Sequence, residues 1–127
     1  MNETLERVLY VEDDPDIRAV GEFALGLGGL TVKSCASGDE AVAAAPAFCP
    51  QLILLDVMMP GMDGPATLEA LRALDVTAAT PVVFMTAKVQ PTEVEVYRGM
   101  GAVDVIPKPF DPMTLAAAIR AIYVRAA

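Results

Sequence analysis

Five short apolar runs, each separated from the next by a longer stretch of helical periodicity, restrict the fold more than any other feature of this sequence. They are Arg7-Val-Leu-Tyr-Val11, Thr31-Val-Lys-Ser34, Gln51-Leu-Ile-Leu-Leu55, Pro81-Val-Val-Phe-Met85 and Ala102-Val-Asp-Val-Ile106. Runs this short, bounded by turn residues, read as strands. The first, third and fourth are almost continuously apolar, as parallel strands covered by helices on both faces must be, and the more polar second belongs at an edge. Asp14-Pro15, Gly64-Pro65, Gln90-Pro91 and Asp111-Pro112 put proline at the first helical position of four helices, and Ser37-Gly-Asp-Glu40 has the pattern of a capping box. Apolar residues then recur at helical spacing, as in Leu68, Leu71 and Leu74 or in Leu115, Ile119 and Ile122. Strand and helix alternating in this way predict a doubly wound α/β domain, with its site beyond the carboxyl ends of the strands.

A length of 127 residues fits one domain, and with no internal repeat and a last helix running nearly to Ala127, no output domain is expected. The charge of −8 disfavours nucleic acid, whose phosphates demand a basic face. It does not signal disorder, because 54% of the residues are hydrophobic. With no histidine, Ser-His-Asp and Cys-His catalysis and histidine-ligated zinc are excluded. Cys35 and Cys49 have no metal-ligand spacing and read as reduced, buried thiols. The start, Met1-Asn-Glu-Thr-Leu-Glu-Arg7, lacks the basic-then-apolar pattern of a signal peptide, and no apolar run is long enough to span a bilayer. A cytoplasmic protein that does not engage membranes is the expectation.

The predicted strand ends carry the chemistry. Strand one delivers Glu12-Asp13-Asp14 and strand three delivers Asp56, so carboxylates from separate segments converge. A hard divalent cation such as Mg²⁺, which takes oxygen ligands, would neutralise them. Strand four ends in Met85-Thr86-Ala87 and supplies a hydroxyl; strand five ends in Pro107-Lys108-Pro109 and supplies an ammonium. Acid, hydroxyl and lysine suggest phosphoryl chemistry, with Asp56 the best placed nucleophile. Asp14 reads first as a helix cap, and Asp63-Gly64 as a turn.

These residues resemble the receiver domains of two-component response regulators. The likeness lies in Val11-Glu-Asp-Asp14, Leu54-Leu-Asp-Val-Met-Met-Pro-Gly-Met-Asp-Gly64, Met85-Thr-Ala87 and Lys108-Pro-Phe110, and it covers essentially the whole chain, 1–127, with a core of about 6–125. The resemblance implies a flavodoxin-like five-stranded parallel sheet of order 2-1-3-4-5 with five helices. It implies Asp56 as phosphoacceptor, Asp13 as a direct Mg²⁺ ligand, Glu12 as a ligand largely through water and Met58 as a ligand through its backbone carbonyl. It further implies that Thr86 and the Ala87 N–H bind phosphoryl oxygens, that Lys108 pairs with Asp56 or its phosphate, and that Lys108-Pro109 is cis. The donor would be a phosphohistidine on a kinase or phosphotransfer protein, and the chain would be no enzyme beyond catalysing its own phosphorylation and slow dephosphorylation.

Two departures stand out. The family's usual aromatic three residues before the lysine is Val105, so a movement of Thr86 would be reported by smaller repacking or hardly at all. The variable positions flanking the site are Met58 and Lys88, and neither orients an attacking water, so slow hydrolysis is expected. Met58 reads equally as an apolar contact for the partner helix. A haloacid-dehalogenase-type enzyme would need a second Asp where Asp56-Val-Met58 has methionine. A phosphorylation-independent interaction module is the alternative function, although it would normally have lost one of the five key residues, all of which are present. A purely structural cation site leaves Thr86 and Lys108 without a role. The resemblance also suggests a downstream protein docking on α4, β5 and α5 through Tyr97, Val105 and apolar neighbours, and a monomer is expected.

Overall fold

A computed structural model describes residues 4–126, so Met1–Glu3, from the start read for a leader, and Ala127 lie outside the described residues. The strands are β1 (Arg7–Val11), β2 (Thr31–Cys35), β3 (Leu52–Asp56), β4 (Val82–Thr86) and β5 (Asp104–Pro107). They alternate with α1 (Pro15–Leu27), α2 (Gly38–Phe48), α3 (Gly64–Arg72), α4 (Pro91–Gly99) and α5 (Leu115–Ala126). All four pairings are parallel and the order is β2-β1-β3-β4-β5. The polar second run is therefore an edge strand, as its composition demands.

Strand alternation divides the interior into two layers. Val8, Tyr10, Leu52, Leu54, Val83 and Met85 pack with α1 and α5, including Leu115, Ile119 and Ile122. Leu9, Val11, Ile53, Leu55, Val82 and Phe84 pack on the other face with α2 and α3, including Leu68 and Leu71. β3 and β4 are buried along their whole length, which accounts for their unbroken apolar sequence.

Local details modify several boundaries. Asp63 caps α3 through the Ala66 N–H at 2.9 Å, which moves Pro65 to the second helical position. The Asp111 carbonyl accepts from the N–H groups of Thr114 and Leu115 at 3.1 Å and its carboxylate from that of Met113 at 2.9 Å, but residues 112–114 form a turn and α5 starts three residues after Pro112. Half of the predicted capping box is present: Ser37 Oγ accepts from the Glu40 N–H at 3.2 Å, while the Glu40 carboxylate takes the Ala36 N–H. Leu74 lies past the end of α3, only partly buried. Cys35 is buried as expected, but Cys49 is exposed, because it ends α2 in the left-handed conformation (φ 52°) with its thiol donating to Pro46 O.

Gln51 ties the chain's beginning to the sheet: its Oε1 accepts from the Glu6 and Arg7 N–H groups at 2.8 and 2.9 Å, and its Nε2 donates to Thr4 O at 3.2 Å. Gln51→Ala leaves these backbone groups without that partner and is expected to lower stability by about 1–3 kcal/mol. Urea unfolding checks this as a lower midpoint with an unchanged slope.

Candidate functional site

Register and side-chain alternation together aim the site's carboxylates at one another. β1 and β3 pair Tyr10 with Leu54 and Val11 with Leu55, so Glu12 is level with Asp56 on the face that carries Tyr10 and Leu54. On the other side of β3, Asp56 pairs with Met85, and Thr86 pairs with Pro107, which sets Thr86 and Lys108 along the same carboxyl edge. One carboxylate oxygen each from Glu12, Asp13 and Asp56 lies within 4.8 Å of the other two. Glu12, Asp56 and Thr86 are buried; Asp13 and Lys108 are half-buried.

Lys108 is the cation that holds the cluster together. Its Nζ is 2.8 Å from Glu12 Oε1 and 3.3 Å from Asp56 Oδ1, so its shorter contact is with Glu12. Burial alone would lower the Lys108 pKa, but the two carboxylates outweigh it and hold the ammonium above its ordinary value. Burial, and then hydrogen bonding and charge from Glu12, push the Asp56 carboxyl up to about 7 against the opposing pull of Lys108. One ammonium thus leaves the cluster short of positive charge. The donor set is all oxygen and closely spaced, which suits a hard divalent cation.

The remaining residues take distinct places. Asp14 caps α1, accepting from the Asp16 and Ile17 N–H groups at 2.9 and 3.1 Å, and is not among the clustered carboxylates. Asp63 is likewise a cap. The Met58 N–H reaches Asp56 Oδ1 at 3.4 Å, while the residue as a whole is 70% exposed. Thr86 Oγ1 accepts from the Lys88 N–H at 3.1 Å, and Ala87 and Lys88 are exposed. The Lys108-Pro109 peptide is cis. Val105 is paired with Phe84 and half-buried, and Tyr97 from α4 sets its ring edge-on to Phe84 at 5.5 Å, so Tyr97 is partly engaged in the core. Sequence reasoning missed Arg18, whose Nη1 donates to Glu12 O at 2.9 Å and Asp13 O at 3.4 Å. The available signal was a long cationic side chain one helical turn beyond the acidic strand end.

This arrangement has counterparts in known proteins. Residues 8–120 match the model of the response regulator receiver domain, and the chain belongs to that family of two-component signalling domains. It is 34% identical over 121 residues to the DNA-binding response regulator MtrA of Mycolicibacterium smegmatis, covering 95% of this chain and 52% of MtrA. It is 36% identical over 118 residues to the transcriptional regulatory protein CseB of Streptomyces coelicolor, covering 93% of this chain and 49% of CseB. The chain thus spans about half the length of the curated relatives it matches. Among solved structures, the chemotaxis protein CheY4 of Vibrio cholerae superposes with a TM-score of 0.86 at 30% identity, over 93% of this chain and 98% of CheY4. The receiver domain of a signal transduction histidine kinase from Syntrophus aciditrophicus does so with a TM-score of 0.80 at 30% identity, over 94% of this chain and 91% of that one. No helix among the described residues is long and apolar enough to cross a membrane.

Proposed function

We propose that this chain acts as a single receiver unit over 1–127 that takes a phosphoryl group from a phosphohistidine onto Asp56 and thereby changes its contacts with a downstream protein. The observation that carries the reading is the convergence of the Glu12, Asp13 and Asp56 carboxylates with the Lys108 ammonium, on the edge that also carries the Thr86 hydroxyl. Asp56 Oδ attacks phosphorus, the bond from phosphorus to the imidazole nitrogen breaks, and the imidazole leaves on a kinase or phosphotransfer protein. Asp13 and Asp56 would hold Mg²⁺ directly, Glu12 through water and Met58 through its carbonyl. The bound cation would neutralise charge on the phosphoryl oxygens. Lys108 turns from the carboxylates to the phosphoryl group, and the Thr86 hydroxyl and Ala87 N–H donate to its oxygens. The chain performs no other catalysis on this reading, works as a cytoplasmic monomer, and binds neither nucleic acid nor membrane.

The test is intact mass after incubation with Mg²⁺ and a small acyl phosphate or phosphoramidate. Wild type should gain one phosphoryl group and Asp56→Asn none; folded wild type without an adduct would overturn the reading. A second reading, a phosphorylation-independent interaction module, draws on Val105, which leaves β5 without the aromatic that the family uses to report the switch. On the first reading Val105 repacks modestly as Thr86 moves, and partners meet α4, β5 and α5. There Val96 and Met100 are exposed and Arg98 and Arg125 both pair with Asp104.

Met58 governs the lifetime of the phosphorylated state. Exposed Met58 and Lys88 line one groove together with Val57, the residue after Asp56, and neither activates water. Met58→Asn supplies an amide to orient water and is expected to speed hydrolysis by about tenfold. Loss of the mass adduct with time measures this, and an unchanged rate would rule out this role for Met58.

A further inference from the structure

The geometry points to Arg18 as a positioning residue for the cation site: its guanidinium fixes the backbone carbonyls of Glu12 and Asp13 and so aims their carboxylates. The inference rests on the proposed Mg²⁺ site. The path of the chain shows why such an anchor is needed. The last pairing of β1 is at Val11, the Glu12 N–H completes the ladder on Cys35 O at 3.0 Å, and α1 starts at Pro15. Between them the backbone turns, and the Glu12 and Asp13 carbonyls have left the sheet.

The polar groups of Asp14 are spoken for locally. The Asp14 carboxylate caps α1, the Asp14 N–H donates to Glu12 Oε2 at 3.2 Å, and the Asp14 carbonyl accepts from the Arg18 N–H at 2.8 Å. Arg18 then reaches back over the helix start to the two carbonyls with a single Nη1. Glu12 is buried and Asp13 half-buried, so carbonyls in this turn need a donor from the protein, and the half-buried Arg18 supplies it to both.

The choice of partners is the informative feature. Arg18 lies one turn from three acidic side chains, yet among the described residues it makes no salt bridge; the ion pairs of this site belong to Lys108. Its bonds to neutral carbonyls leave carboxylate oxygens open to a cation while holding the backbone that carries them. Without that hold, mutual repulsion among Glu12, Asp13 and Asp56 would spread the turn before a cation arrives. Residues that orient metal ligands in this way commonly change affinity by tenfold or more when removed.

The experiment is a Mg²⁺ titration of wild type, Arg18→Ala and Arg18→Gln, followed by backbone amide shifts, with denaturant unfolding of each metal-free protein. Arg18→Ala should bind Mg²⁺ about tenfold more weakly. Arg18→Gln, neutral but with an amide donor able to meet a carbonyl, should recover part of that loss. Equal or tighter binding by Arg18→Ala would overturn the inference, because removing a nearby positive charge by itself strengthens cation binding. So would a loss of stability with Mg²⁺ affinity intact, which would leave Arg18 a clasp of the fold alone. Should Arg18→Ala fail to fold, affinity of Arg18→Gln equal to or tighter than wild type overturns the inference, and weaker affinity supports it. Wild type without saturable Mg²⁺ binding would remove the cation site itself and the inference with it.

Discussion

Asp56→Asn is expected to abolish phosphoryl acceptance while making the metal-free protein more stable near pH 8, by on the order of 3 kcal/mol. The gain follows from the Asp56 carboxyl, which burial and Glu12 push up to about 7 from an ordinary value of 3.8. Between those values the folded chain binds more protons than the unfolded one, so stability falls as pH rises through the window. The full cost is present above about pH 7 and absent below about pH 4. An asparagine keeps the shape without the charge and escapes that cost, with a melting temperature higher by roughly 10 °C near pH 8. The advantage should shrink near pH 5. It should also shrink when Mg²⁺ is added, because the cation binds and stabilises folded wild type more than the variant. Thermal unfolding of both proteins at the two pH values, with and without Mg²⁺, measures this. An equal gap at both pH values would show that the ionisation of buried Asp56 is not its source.

The same balance explains how much of the site could be read from sequence. Strand order at the β2 edge follows from polarity, because Thr31, Lys33 and Ser34 do not suit a strand buried on both faces. The juxtaposition of Glu12 and Asp56 follows from placing both at carboxyl ends of neighbouring parallel strands on one side of the pleat. The capping role of Asp14 follows from the proline after it. What escaped was set by tertiary contact. The 3₁₀ turn at Asp75–Thr77 exists because Arg72 Nη1 donates to the carbonyls of Thr77 and Thr80 and the Thr77 hydroxyl to that of Leu71. No local pattern signals those partners. The exposure of Cys49, the preference of Lys108 for Glu12 and the reach of Arg18 to the β1–α1 turn likewise depend on where segments distant or folded back in space come to lie.

Gly64→Ala is expected to damage the site from behind, and Gly64→Val to damage it more. Gly64 opens α3 and its N–H donates to Val57 O at 2.9 Å, which draws the helix start against the end of β3. A Cβ there would sit 2.7 Å from Asp56 O and 2.7 Å from Val57 Cα. Both are backbone atoms, so no side chain can swing aside, and either the helix start or the strand end must shift. Overpacking of this kind costs about 1–3 kcal/mol. The strand end carries the proposed nucleophile, so displacement there also misplaces Asp56 relative to Lys108 and Thr86. Small misplacements of reacting groups slow transfer steeply, and about tenfold slower acceptance from a small phosphoryl donor is expected. Unfolding midpoints give the first effect and the time course of the mass adduct the second. A variant that is destabilised but accepts phosphate at the wild-type rate would show that α3 recoils while β3 stays in place. In that case Asp56 is held by the sheet alone, through its pairing with Met85 and the Val57 N–H bond to Met85 O.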